Sequence, residues 1–343
     1  MKKSLLALAV LGAFAGAASA QSSVTLYGTL DVGGKYIKND GSARRVSEGT
    51  DGIASSEVRL SGVEDLGGGL KAGFNIRSGF NPDTGTTNAQ FWNRRSTVSL
   101  FSNGGELRLG RDYKPDFWNQ AIFDAFGANG LGAALNVAQA YPGTRSSNSI
   151  GYFLPSNLGG FYGQGMVAAS EGGTNADRPG RYIGARLGFA AGPFDVAFSA
   201  ATQRYDVALG LNAKGDSQKT YNIGGSYDFG FLKLQGFYER DSLAHFKEDR
   251  FSPNAIIPMG QGEVHLGYNY SKLRIDATGK STKVDMFAAT YQYNLSKRTA
   301  MYGTAAMLKN SDATRLSLPG SITDTPTAGG KSTGFELGVR HFF

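Results

Sequence analysis

No cysteine occurs in the 343 residues, so zinc thiolate sites, cysteine nucleophiles and disulfides are excluded. Histidine is nearly absent: His245, His265 and His341 are the only three, and no metal-like spacing joins them. Long apolar runs are missing as well. The longest, Leu5 to Ala18, falls short of the ~20 residues that a membrane-spanning helix needs, which excludes a polytopic helical membrane protein. The formal charge is +7, yet the lysines and arginines are scattered with no basic run longer than a pair, so no nucleic-acid partner is expected. Gly279-Lys280-Ser281 and Gly330-Lys331-Ser332 end like phosphate loops, but Arg274 and Thr325 stand where the required earlier glycine belongs. Neither a cofactor nor a catalytic constellation is implied, and the chain does not read as an enzyme.

What the chain does have begins at its N-terminus. Lys2-Lys3, an apolar stretch from Leu5 to Ala15, and Ala18-Ser19-Ala20 follow the basic, apolar, A-x-A order of a secretory signal peptide. Residues 1–20 are therefore expected to be a leader, and 21–343 the exported domain. Losing the two leader lysines lowers the formal charge to +5.

Beyond the leader, apolar and polar residues alternate with period 2, which places successive side chains on opposite faces of a sheet. Val24, Leu26, Leu30 and Val32 share one face, and Thr25, Tyr27, Thr29 and Asp31 the other. The pattern recurs at 70–77, 221–229 and 264–270, and closes the chain at 335–343. It predicts sixteen strands, starting near 24, 55, 69, 91, 105, 148, 160, 180, 194, 219, 231, 262, 272, 284, 298 and 332. Asp241 to Gly260 reads as an external loop, as does Lys309 to Lys331.

A soluble sandwich would hide its apolar face in a dry core. Three features favour a transmembrane barrel instead. Short turns such as Asp65–Gly69, Asn103–Gly105 and Ala191–Pro193 alternate with longer polar stretches. Aromatics gather near strand ends, among them Tyr27, Phe91, Trp92, Tyr291, Tyr293 and Phe342-Phe343. The polar face carries charges strand after strand, which suits a wet lumen. Closure also removes edge strands that lipid cannot satisfy. Gly28, Gly73, Gly224 and Gly267 fall within strands, where glycine serves bends or close approaches.

Several segments, taken in order, resemble the trimeric general diffusion porins of the β-proteobacterial and neisserial type, a Gram-negative outer-membrane family. They are Ser22 to Gly28, Glu64 to Phe74, Ser78 to Gly85, Gly110 to Pro115, Leu295 to Thr299, and the ending Gly338 to Phe343. The resemblance implies an all-β, sixteen-stranded antiparallel transmembrane barrel in the outer membrane and a homotrimer. It implies a water-filled channel for passive diffusion of small hydrophilic solutes and ions. It further implies that the terminal Phe343 is read by the barrel-insertion machinery, that lipid and lipopolysaccharide surround the barrel, and that the third external loop folds inward.

The longest gap between predicted strands, residues 113–147, is that third loop. Its apolar content (Phe117, Trp118, Ile122, Phe123, Phe126, Leu131, Leu135) argues for a packed segment, with a short helix from Pro115 or Asp116 ending by Gly127. Parity then aims Arg59, Arg77 and Arg95 at the lumen from three consecutive strands. Heights of ~19–23 Å above the short turns place them in one basic cluster, which Arg145 joins at the loop's return. The family pattern aligns Arg94 rather than Arg95, and a bulge would exchange them. Asp116 and Asp124 are the loop's acids, and ion pairing of the arginines with them or with Glu57 is the structural alternative. Two or three uncompensated arginines would favour an anion by ~1–2 kcal/mol, a modest preference. An anion-selective channel for organic or inorganic acids, and a barrel serving mainly as a surface anchor or adhesin, are the alternative readings.

Overall fold

The computed structural model describes residues 23–343 apart from 88, 141–142, 171–179, 205–215, 277 and 321–323; the expected leader lies outside the described residues. Sixteen strands form the wall. The first eight are β1 (Ser23–Asn39), β2 (Glu57–Gly67), β3 (Leu70–Asn81), β4 (Arg95–Ser102), β5 (Gly105–Tyr113), β6 (Arg145–Phe153), β7 (Phe161–Ala168) and β8 (Tyr182–Ala191). The second eight are β9 (Phe194–Arg204), β10 (Ser217–Asp228), β11 (Lys233–Leu243), β12 (Phe246–Met259), β13 (Gly262–Ile275), β14 (Lys280–Asn294), β15 (Thr299–Asn310) and β16 (Lys331–Phe342). Each pairs antiparallel with the next, and β16 pairs back to β1, so the sheet closes.

Closure is fastened at the chain end. The Gly28 N–H donates to the Phe343 carbonyl at 3.0 Å, and the Phe343 N–H returns a bond to the Gly28 carbonyl at 3.1 Å. A Cβ on residue 28 would collide with the Phe343 ring, which is why glycine stands there. Two short strands lie outside the wall count: Arg45–Thr50 pairs with the upper part of β1, and Thr86–Thr87 with the end of β3.

Alternation works as the sequence predicts. On β15, Met301 and Met307 are exposed to the outside, while Tyr302, Thr304, Leu308 and Asn310 face in and are buried. Two strands depart from expectation. Phe246 to Met259 is a full wall strand, not a loop, and joins β11 through a tight turn at Ala244-His245. Its outward side carries Lys247 and Asp249 and its inward side Glu248 and Arg250, so the apolar signal is lost. The pair predicted to start near 262 and 272 is instead one continuous strand, β13, in which Ser271 faces in without a turn. The total of sixteen survived because the two errors cancel.

The lumen also holds an apolar core. Ile37, Val284, Met286 and Leu308 face inward from the wall and pack on Leu131 and Val137 of the long loop and on Leu318 of the last loop.

Candidate pore constriction

The segment between β5 and β6 lies inside the barrel. Its helix α1 (Pro115–Ile122) starts with proline in the first turn, where a missing N–H costs nothing, and ends at Phe123 rather than running on towards Gly127. Asn119 is the helix's main polar anchor. Its side-chain amide donates to the Ala197 carbonyl at 3.0 Å and to Asn222 Oδ1 at 2.7 Å, and its Oδ1 accepts from Arg186 Nε at 2.7 Å. Further on, Phe123 and Phe126 seat against Gly224 and Gly267, where any Cβ would overlap their rings. Glu248 clips the returning limb, accepting the backbone N–H groups of Gln139 and Ala140, both at 2.8 Å. His265 Nδ1 stands 2.6 Å from the Ala125 carbonyl. The loop thus covers the inner wall from β7 to β14.

Asp116 and Asp124 both point into that covered side, away from the arginines. Asp116 accepts the Tyr182 hydroxyl at 2.5 Å. Asp124 accepts the backbone N–H groups of Phe126, Ala128 and Ala134 at 3.0–3.2 Å and holds the loop's turn together. Burial pushes its carboxyl up to about 6, against the lowering effect of those three bonds. Burial pushes the Lys114 ammonium down, and the nearby Asp116 opposes that. The alternative pairing of these two acids with the arginine cluster is therefore absent among the described residues, whereas the pairing with Glu57 is present.

The arginines stand on the opposite, uncovered side. Register sets Arg59 directly across from Arg77 and Arg77 across from Arg95, a straight row over β2, β3 and β4. Glu57 serves two of them: Arg59 Nη2 lies 2.6 Å from its Oε1, and Arg77 Nε donates to its Oε2 at 2.8 Å. Arg95 bonds Asp112 at 2.6 Å, and Arg108 holds the other oxygen of that carboxylate at 2.6 Å. Tyr113 lies among the guanidinium groups, with Arg77, Arg95 and Arg145 at 5.7, 5.6 and 4.2 Å from its ring centroid. Phe117 stacks on it at 5.4 Å and ties this hub to the loop helix. Such cation–π contacts contribute ~0.5–2 kcal/mol each.

Arg94 and Arg95 do not exchange places. Arg95 begins β4 and faces in by alternation. Arg94 precedes the strand, escapes its alternation, and donates to Ser55 at 2.9 Å and Asp51 at 3.0 Å. Both reach the interior. A cavity of about 330 Å³ opens between loop and wall, lined by Lys35, Asp51, Arg94 and Arg145 together with the Gly127–Gly130 turn. Sequence reasoning missed Lys35, Arg108, Asp112 and Tyr113. Parity on β1 and β5 exposes the first three, whereas Tyr113 is placed only by the packed loop.

Five guanidinium groups (Arg59, Arg77, Arg94, Arg95, Arg108) thus share four carboxylates, Asp51, Glu57, Glu106 and Asp112, and a sixth, Arg145, bonds the Tyr113 hydroxyl, Thr144 and the Arg94 carbonyl instead. The acids that would balance them sit behind the loop.

Comparison with known proteins gives a consistent result. A family model described as Gram-negative porin matches residues 7–313. Outer membrane porin protein 32 of Delftia acidovorans is 40% identical, with 100% of both chains covered. The major outer membrane protein P.IB of Neisseria meningitidis serogroup B is 27% identical, again over 100% of each. Among solved structures, an anion-selective porin from Comamonas acidovorans superposes with a TM-score of 0.82 at 36% identity, covering 94% of this chain and 100% of that one.

Proposed function

The chain belongs to the Gram-negative porin family, and from that premise we infer that its outer-membrane channel favours anions through the arginine-lined side of a passage narrowed by the inward loop. The carrying observation is the asymmetry of the lumen. The loop covers Asp116, Asp124, Asp241 and Glu248, whereas Arg94 and Arg145 line the open cavity. Arg59, Arg77 and Arg95 form the row behind them, neutralised in part by Glu57 and Asp112. A local excess of two positive charges, each contributing ~0.8 kcal/mol at ~5 Å in water, favours an anion roughly tenfold before screening. That magnitude supports graded preference with rapid passage rather than tight binding. The similarity to a porin described as anion-selective supports the same sign.

On this reading the chain is exported by residues 1–20, assembles as a homotrimer, enters the membrane through recognition of Phe343, and passes small hydrophilic solutes through its lumen, with lipopolysaccharide around it in the outer leaflet. The test is the zero-current potential of the reconstituted protein across a bilayer under a KCl gradient. Wild type should give a chloride-favouring potential, and Arg94→Ser with Arg145→Ser should bring it close to zero. A potassium-favouring potential in wild type would overturn the assignment.

A further inference from the structure

Arg145 differs from the other guanidinium groups of the lumen cluster in what holds it. Its Nε donates to the Arg94 carbonyl at 3.0 Å, and its two terminal nitrogens donate to Thr144 Oγ1 and to the Tyr113 hydroxyl, both at 2.8 Å. All three acceptors are uncharged oxygens. Arg59, Arg77, Arg94, Arg95 and Arg108 each meet a carboxylate instead. The bonds to Arg145 therefore aim its charge without cancelling it, and the side chain lines the cavity of about 330 Å³ between loop and wall.

Tyr113 holds Arg145 twice, through its hydroxyl and through its ring, whose centroid lies 4.2 Å from the guanidinium carbon. Alternation alone would not bring it there. Leu107 and Leu109 of β5 face outward, and strict period 2 would send Tyr113 after them. The register between β5 and β6 shifts between Gly110 and Asp112, and Gly110 takes φ +125°, with the Ser96 carbonyl oxygen 2.1 Å from where a Cβ would stand. Past that shift, Phe117 and Trp118 of α1 seat the ring on the inner side, at centroid distances of 5.4 and 5.2 Å. Tyr113 ends only 6% exposed, so it acts on a passing ion through the arginine and not by touching it. The alternative partner for Arg145 is Asp51, which lines the same cavity and already carries Arg94 at 3.0 Å. A guanidinium released by Tyr113 and drawn to that carboxylate would lose most of its pull on an anion.

We propose that Tyr113 is a positioning residue of the pore: its hydroxyl and ring hold Arg145 towards the passage and off Asp51, so that an uncharged side chain sets how strongly anions are preferred. This rests on the anion-favouring reading above and names the residue that maintains it.

The test compares the reconstituted wild-type channel with Tyr113→Leu and Tyr113→Phe by reversal potential under a KCl gradient at low absolute salt. All three carry the same charged groups. Tyr113→Leu loses both holds and should lower the chloride-to-potassium permeability ratio about fourfold, the share of one unit charge at ~5 Å in water. Tyr113→Phe keeps the ring and loses the bond, and should lower the ratio about twofold. With Arg145→Ser already in place, neither substitution should change the ratio further, because the interaction it removes is gone. Raising the salt to about 1 M should erase the difference between wild type and variants, whereas a reshaped passage would keep it. Entry of a small uncharged sugar into liposomes should be as fast through Tyr113→Phe as through wild type. An unchanged ratio in the phenylalanine and leucine variants would overturn the proposal. So would an equal fall with and without Arg145, which would make Tyr113 a packing partner of the loop helix and nothing more. Should the leucine variant fail to refold, the phenylalanine variant, with and without Arg145, decides by the same comparison. A potassium-favouring wild type would sink the anion reading alone, and the Tyr113 variants should then shift the potential further towards potassium.

Discussion

The ring of Phe123, just past the loop helix, occupies the space that a side chain on Gly224 of β10 would need. The same relation joins Phe126 to Gly267 on β13. These two seats help set how deep the loop lies in the barrel. Gly224→Val should therefore lift the loop at a cost of ~1–3 kcal/mol of overpacking. Single-channel recording should show a changed conductance level with more frequent fluctuations. A trace as quiet as wild type would mean that the ring has other room.

Glu57 neutralises two arginines at once, so its removal should increase selectivity. Glu57→Gln leaves Arg59 and Arg77 without their carboxylate and adds roughly one positive charge, worth ~0.8 kcal/mol at ~5 Å or about a fourfold gain in anion preference. Breaking a buried pair also costs stability. The reversal potential should shift further towards chloride while the unfolding temperature drops.

Ion preference should weaken with salt. Screening shortens from ~10 Å at 0.1 M to ~3 Å at 1 M, so a preference made by unpaired charges facing water collapses over that range. Reversal potentials at fixed KCl ratio but rising absolute concentration check this. A constant ratio would point to steric rather than electrostatic sorting.

Loop attachment should depend on pH through Asp124. Its folded-state pKa, raised to about 6 from the ordinary 3.8, means that the folded loop keeps a proton which the detached loop has lost. Attachment is thus favoured at low pH, weakens as pH rises through this window, and carries the full cost above about 6, on the order of 3 kcal/mol. Protection factors across 114–140, corrected for the intrinsic pH dependence of amide exchange, should be higher at pH 5 than at pH 7.5, and Asp124→Asn should flatten the difference.

Phe343 makes its two closing bonds through the backbone alone. Phe343→Ala should keep them and lose only the ring, whereas deletion loses both. If the ring is what the insertion machinery reads, the two variants should assemble equally poorly in cells. Refolding in detergent should separate them, with the alanine variant closing and the truncated one failing to resist heat.

The barrel was legible because lipid outside and water inside impose opposite polarity on alternate residues. Where lipid ends, that signal ends. Lys247 and Asp249 stand above the apolar band, so β12 reads as a polar loop, and the upper part of β13 reads as a new strand after Ser271. The arginine row was legible for a related reason, since parity and distance from a short turn are one-dimensional quantities. Asp116 and Asp124 were not. Which side of a folded loop an acid faces depends on where Phe123 and Phe126 seat, and nothing local to the acids encodes that. Tyr113 was missed for the same reason.

The bonds between Gly28 and Phe343 also fix an order in time. The first strand finds one of its two permanent neighbours only when the last strand, β16, is in place. No amount of earlier hairpin formation can complete the wall, which stays open-edged until β16 pairs with β1. Because the two ends meet in the finished barrel, a short linker between them, with new termini opened at one of the tight turns, should yield the same channel. Such a rearranged chain would close on a different last strand.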